Sequence, residues 1–80
     1  MYTINVHYFA LLREKSGVEH EQVFSAAKNF SELYEELSKK YSFDLPSTMI
    51  QVAVNDEFSS LDKPLSDQVK VVFIPPVAGG

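Results

Sequence analysis

The fold is decided by one periodic stretch near the middle of the chain, Asn29-Phe30-Ser31-Glu32-Leu33-Tyr34-Glu35-Glu36-Leu37-Ser38-Lys39-Lys40-Tyr41. Asn29 is a residue type that caps helix N-termini, and Glu32 three residues later completes a capping box. The apolar side chains that follow recur at i, i+3, i+4, i+7 and i+11 and share one helical face: Phe30, Leu33, Tyr34, Leu37 and Tyr41. The pattern predicts an amphipathic helix over residues 30–41.

The chain before this helix has the pattern of two strands. Residues 3–11 alternate in strand register, with Ile4, Val6 and Tyr8 on one face and Asn5, His7 and Phe9 on the other. Ser16-Gly17 is a turn sequence, and residues 19–24 follow it as a second strand. We therefore expect a β-hairpin ahead of the helix.

Two further strands are expected after the helix. The sequence Phe43-Asp44-Leu45-Pro46 ends the helix, and residues 49–54 and 69–74 have strand patterns, with a turn over residues 55–57. The order strand, strand, helix, strand, strand (ββαββ) predicts an α+β fold in which one main helix packs on one face of a mixed sheet. Residues 1–74 are expected to form this domain, and residues 75–80 an extended C-terminal tail.

The strand registers predict an apolar patch on the sheet face that the helix leaves uncovered. The last strand alternates so that Val72 and Ile74 point away from the core, on the same side as Phe9. Apolar surface beside a presented terminus is typical of a partner docking site. The pattern leaves a second arrangement open, in which another side chain, Phe58, covers these residues.

Composition excludes several kinds of site. The 80 residues are 45% hydrophobic and contain no cysteine, which suits one small domain and excludes disulfides, thiolate metal ligands and thiol nucleophiles. His7 and His20 are predicted to be strand surface and not metal ligands, because metal sites need several clustered donors. A net charge of −4 argues against nucleic acid and anionic membranes as partners. With no membrane-span or signal-peptide pattern, the expected location is the cytoplasm.

The last six residues, Pro75-Pro76-Val77-Ala78-Gly79-Gly80, form a slim extension after the final strand. Proline fixes φ and keeps the first part of the segment extended, whereas glycine lacks Cβ and allows the backbone into narrow spaces. Stiffness at the exit also lowers the entropy that is lost when the segment enters a partner. This design indicates that the working group is the terminal carboxylate of Gly80.

Several short motifs occur together along the chain: Tyr8-Phe9-Ala10-Leu11-Leu12-Arg13-Glu14, the Gly17 turn, the Leu33/Leu37 helix, Val52-Ala53-Val54-Asn55, Pro64-Leu65-Ser66-Asp67 and Val71-Val72-Phe73-Ile74 followed by the six-residue tail. Together they resemble the small subunit of molybdopterin synthase (the MoaD family), a sulfur carrier with the ubiquitin-like β-grasp fold. One turn departs from the family, because Asp67-Gln68-Val69 stands where an Asp-Gly-Asp turn is usual. Gln68 is therefore expected to strain that turn or to reshape it.

The resemblance implies a chemistry for the C-terminus. A MoeB-like adenylating enzyme uses ATP to convert the Gly80 carboxylate to an acyl-adenylate, and a separate sulfur donor supplies the sulfur of a thiocarboxylate. The tail then enters a MoaE-like large subunit, which binds a pterin precursor and supplies catalysis while the dithiolene of molybdopterin forms. The family precedent is a heterotetramer. The chain itself is then expected to bind no cofactor and no metal.

The resemblance also assigns contact residues. Phe9, Phe58 and Ile74 match family positions that pack on the large subunit, and Val72 lies beside them on the predicted face. Arg13 matches a motif position; it is either a partner contact or a solvated charge.

Three other functions stay open from the sequence. A ThiS-type sulfur carrier for thiazole synthesis shares the Gly-Gly ending but is usually shorter and lacks the Pro-Pro-Val-Ala approach. A ubiquitin-like modifier would form isopeptide bonds with lysine side chains. A plain interaction domain would not need Gly79 and Gly80.

Overall fold

A computed structural model of the protein describes residues 1–76; the predicted tail residues Val77, Ala78, Gly79 and Gly80 lie outside the described part. The elements in chain order are β1 (Tyr2–Tyr8), α1 (Leu11–Ser16), β2 (His20–Ser25), α2 (Phe30–Tyr41), a short 3-10 helix (Ser47–Met49), β3 (Gln51–Val54), β4 (Glu57–Ser59) and β5 (Val69–Ile74). The strands form one mixed sheet in the order β2-β1-β5-β3-β4, and the buried face of α2 shares a core with it. The predicted α+β class, with one main helix on a mixed sheet, is confirmed. No helix within residues 1–76 has the length and apolarity that crossing a bilayer requires.

Helix α2 has the predicted bounds because its N-terminal cap and its apolar face both specify the same residues as helical. The Asn29 side chain accepts a hydrogen bond from the Glu32 backbone N–H at 2.8 Å. The Glu32 carboxylate accepts from the backbone N–H of Lys28 at 3.1 Å, one residue before the cap itself. Tyr41, the last residue of the predicted face, is partly buried against the core. The other four side chains of that face are buried: Phe30, Leu33, Tyr34 and Leu37.

The first predicted strand ends three residues too late, because a short helix follows β1. Ala10 has φ 51° and ψ −122°, a conformation that costs a residue with a Cβ, and it turns the chain from β1 into α1. Gly17, in the left-handed region at φ 81°, ends α1 with its N–H bonded to the Arg13 carbonyl. β2 then pairs antiparallel with β1. The expected pairing is confirmed, but its connection is a helix and not a tight turn.

A strand that the sequence pattern did not reveal follows β3. Asn55 and Asp56 both have positive φ, at 50° and 72°, as a type I′ hairpin turn requires. The turn brings β4 back along β3, where it forms an edge of the sheet. The predicted order ββαββ therefore lacks one strand. The predicted third strand also starts two residues early, because the 3-10 helix occupies its beginning.

β5 has the predicted bounds and lies at the centre of the sheet. It pairs in parallel with β1, from Ile4 opposite Val69 to Tyr8 opposite Phe73, and antiparallel with β3. Ile74, its last residue, lies opposite Gln51 at the start of β3. The C-terminal segment therefore leaves the domain from the middle of one sheet end.

The turn before β5 is strained, which is one of the two outcomes expected for it. Gln68 has φ 62°, the left-handed region that glycine adopts at little cost. Its backbone N–H donates to the Thr3 carbonyl at 2.8 Å, and the neighbouring Asp67 carboxylate accepts from the Thr3 N–H at 2.7 Å. These two hydrogen bonds fix the turn to the start of β1. Gln68 must therefore adopt a backbone conformation that is usual for glycine.

A carboxylate between β2 and the end of α2 is held by two tyrosines. The hydroxyls of Tyr8 and Tyr41 donate to Glu21, at 2.5 and 2.6 Å, and Lys40 lies 3.9 Å from the other carboxylate oxygen. Partial burial acts to raise the pKa of Glu21, but the two hydroxyls and Lys40 outweigh it and keep the pKa below the ordinary 4.5. Glu21 therefore stabilises the fold in its ionised form.

Candidate docking face and the root of the C-terminal segment

The sheet face opposite α2 carries a row of side chains that crosses four strands. The registers place His7 beside Val72, Val72 beside Ala53, and Ala53 beside Phe58. Ile74 lies two positions further along β5, at the end from which the chain leaves the domain. We call the apolar members of this row, together with Ile74 and the neighbouring Phe9, the docking face: Phe9, Ala53, Phe58, Val72 and Ile74.

The structure brings four of the five predicted contact residues onto this face. Phe9 is 55% exposed and Phe58 is 75% exposed, while Val72 and Ile74 are half-buried. Phe9 lies just after β1, in the turn at Ala10, and not within a strand as expected. The alternative in which Phe58 covers the patch is wrong, because Phe58 projects from the edge strand β4 with most of its surface open to solvent.

Arg13, the fifth predicted contact residue, lies on α1. Its guanidinium is 3.5 Å from the carboxylate of Glu19, the residue just before β2, and both side chains are mostly exposed. Exposed pairs of this kind add little to stability and are screened by salt. The structure therefore shows a solvated ion pair at Arg13, and a role in partner contact stays a prediction.

The root of the C-terminal segment is packed before the chain becomes exposed. Pro75 is buried and Pro76 is exposed. A depression of about 180 Å³ lies beside them, lined by Met49, Gln51, Ile74, Pro75 and Pro76. A second, of about 350 Å³, opens along β3 and β4 and is lined by Ile50, Gln51, Val52, Phe58, Ser59 and Leu61. The depression beside the prolines lies at the chain exit, where it suits an apolar side chain of a partner.

Met49 was not predicted as part of this surface. The sequence pattern placed Met49 at the start of a strand, but it ends the 3-10 helix and is 48% exposed. Methionine is flexible and adapts to different apolar surfaces. The sequence carried no signal for this position, because it depends on β3 beginning opposite Ile74, at the root of the C-terminal segment.

The polar border of the docking face is made of paired charges and two imidazoles. Lys70 lies 3.0 Å from Asp56, across the β3–β4 turn. The rings of His7 and His20 stack with centroids 5.1 Å apart. Within residues 1–76, no three side chains of metal-ligating type come together at a position that could hold an ion. The geometry is that of a binding surface with a slim exit beside it.

The comparisons with known proteins agree with this architecture. The family model described as the ThiS family matches residues 6–80. The chain belongs to the ThiS family. A curated relative of this ThiS-family chain, the molybdopterin synthase sulfur carrier subunit of Escherichia coli strain K12, is 32% identical over 96% of this chain and 99% of its own length.

Solved structures show the same likeness. A putative molybdopterin converting factor, subunit 1, from Pyrococcus furiosus superposes with a TM-score of 0.78 at 28% identity, over 96% of this chain and all of its own. A chain in the complex of subunits 1 and 2 of the Helicobacter pylori molybdopterin-converting factor has a TM-score of 0.65 at 26% identity, over 98% and 99% of the two chains. The resemblance to the small subunit of molybdopterin synthase and the β-grasp fold are confirmed.

Proposed function

We propose that this ThiS-family chain is the sulfur-carrier subunit of a molybdopterin synthase in the cytoplasm, with residues 75–80 as its working tail. The observation that carries the proposal is the continuity of the docking face with the end of β5, where the chain leaves the domain. A partner that covers Phe9 and Ile74 therefore also lies beside the point where the chain leaves the domain. The names of the curated relatives support the assignment to molybdopterin synthesis.

The chemistry belongs to the Gly80 carboxylate. A carboxylate is a poor acyl donor because it has no adequate leaving group. A MoeB-like enzyme supplies one by joining the carboxylate to the AMP part of ATP with release of pyrophosphate. Hydrosulfide supplied by a separate donor then attacks the acyl carbon, AMP leaves, and a thiocarboxylate remains. Gly79 and Gly80 suit this chemistry because no Cβ hinders the approach to the acyl carbon.

The second partner is a MoaE-like large subunit, which binds the pterin precursor and receives the sulfur. The complex of subunits 1 and 2 from H. pylori supports this pairing for a relative of similar size. Phe9, Phe58, Val72 and Ile74 are the apolar contacts that we assign to the pairing, with Arg13 at its border. Val77 and Ala78 provide small apolar contacts along the channel. ATP and the pterin precursor are bound by the partners, and the assembly is a heterotetramer with two copies of each subunit.

Reconstitution tests the proposal directly. The chain is incubated with the MoeB-like enzyme, ATP and a sulfur donor, and its intact mass is expected to rise by the exchange of one oxygen atom for one sulfur atom. The product is then mixed with the large subunit and pterin precursor, and molybdopterin is expected to form. The matched control lacks Gly79 and Gly80 and keeps the folded domain. Equal activity of that control would show that the C-terminus is not the sulfur carrier.

A sulfur carrier for thiazole synthesis is the second candidate, because the family model that matches the chain carries the ThiS description. The two candidates share the thiocarboxylate and differ in the acceptor. Offering the thiocarboxylated chain to both systems separates them, and sulfur that reaches only the thiazole system would reject the molybdopterin assignment.

A further inference from the structure

The row of side chains on this sheet face continues past Val72 to a pair of stacked imidazoles. His7 on β1 lies directly opposite His20 on β2, and their ring centroids are 5.1 Å apart with 30° between the ring planes. On its other side His7 lies beside Val72 of β5. His7 is half-buried and His20 is exposed. A partner that covers Val72 therefore also removes water from His7.

The pair lacks a carboxylate of its own within the described chain. Asp56, from the β3–β4 turn, is bound to Lys70 at 3.0 Å, and Glu19, just before β2, is bound to Arg13 at 3.5 Å. Lys70 on β5 is a cation whose charge acts on His7. Burial, Lys70 and His20 lower the pKa of His7, and Asp56 and Glu19 only partly oppose them. The positive charge of a protonated His7 is thus poorly compensated by neighbouring carboxylates even in the absence of a partner.

We propose that the docking face extends onto His7 and His20, and that docking on an apolar partner surface requires both imidazoles to be uncharged. This rests on the proposed function, in which a large subunit covers the face. An apolar partner surface is indicated by the exposed Phe9 and Phe58. An acidic one is disfavoured by the net charge of −4 on this chain. Covering a charged imidazole without a counter-ion is costly, so docking weakens as the pH falls.

Calorimetric titration of the full chain into its MoaE-like large subunit tests the inference. Between pH 7.5 and 5.5, which spans the ordinary titration range of histidine, we expect Kd to rise by more than about tenfold. One group of ordinary histidine pKa that must be neutral already gives about tenfold, and docking requires two neutral imidazoles. At pH 6 the binding enthalpy should differ between buffers of different ionisation enthalpy, because docking releases protons. The double variant His7→Gln, His20→Gln should show neither the pH slope nor the buffer dependence.

Two further controls keep the result interpretable. His20→Gln alone changes an exposed side chain and should reduce the slope without affecting the fold. Thermal unfolding of the free proteins over the same pH range checks that folding does not account for the change.

Each other outcome is informative. A Kd that is independent of pH, or a slope that survives in the double variant, overturns the inference while leaving the proposed function intact. Tighter docking at low pH also overturns it, because the partner would then present a carboxylate to the pair. Absence of docking at every pH contradicts the proposed function itself, and the inference falls with it.

Discussion

Replacing Gln68 with glycine is expected to stabilise this protein. Gln68 sits at φ 62°, where a Cβ costs about 1–2 kcal/mol relative to the right-handed conformation. Its side chain is exposed, so little packing is lost on truncation. Glycine loses about 0.5–1 kcal/mol more backbone entropy on folding than other residues. The difference leaves a net gain of about 0.5–1 kcal/mol in the free energy of unfolding, or about 2–8 °C in Tm for a domain of this size.

The measurement is urea unfolding of wild type and Gln68→Gly, with Gln22→Gly as the matched control. Gln22 is also an exposed glutamine, but it lies in the extended strand β2, where glycine should lower the free energy of unfolding by about 0.5–1 kcal/mol. Sulfur transfer should be equal in all three proteins, because Gln68 lies at the start of β5 and the C-terminal segment leaves from its other end. A Gln68→Gly variant no more stable than wild type would refute the claim that this turn is strained.

Three further predictions concern the docking face, the terminus and the core. Phe9→Lys should weaken docking to the large subunit at least about tenfold without a change in Tm, whereas Phe24→Lys, which alters a 68% exposed phenylalanine at the far end of the same sheet face, should leave the Kd unchanged. A single residue added after Gly80 should abolish thiocarboxylate formation while circular dichroism stays native, and activity of that protein without processing would contradict the mechanism. The free energy of unfolding should fall as the pH drops below 4.5, because Glu21 has a lowered pKa in the folded state and its contribution is lost on protonation; Glu21→Gln should show a smaller fall, measured by urea unfolding at pH 3 to 7.

Elements with strong local signals were predictable from the sequence. The cap at Asn29 and the apolar face of α2 specify that helix without reference to the rest of the chain. The alternation in β5 likewise gave its bounds and the outward side of Val72 and Ile74. A strained or a reshaped turn was expected at Gln68 because a glycine is usual there in the family, and the structure shows the left-handed conformation.

Elements that depend on the rest of the chain were not predictable. α1 has six residues and no side-chain cap, and it begins only because Ala10 adopts a positive φ. β4 has three residues and exists because the Asn55–Asp56 turn holds it against β3. The exposure of Met49 beside the chain exit follows from sheet order, and local sequence patterns carry no information about that order.

The central position of β5 has a mechanical consequence. β5 is held lengthwise by β1 on one side and by β3 on the other. A pull on the C-terminal end of β5 is directed along these two ladders, so many hydrogen bonds must slide at once and cannot open one after another. The folded domain should therefore resist unfolding when a partner enzyme exerts force on the C-terminus. Release from a tight channel can therefore proceed without unravelling the protein.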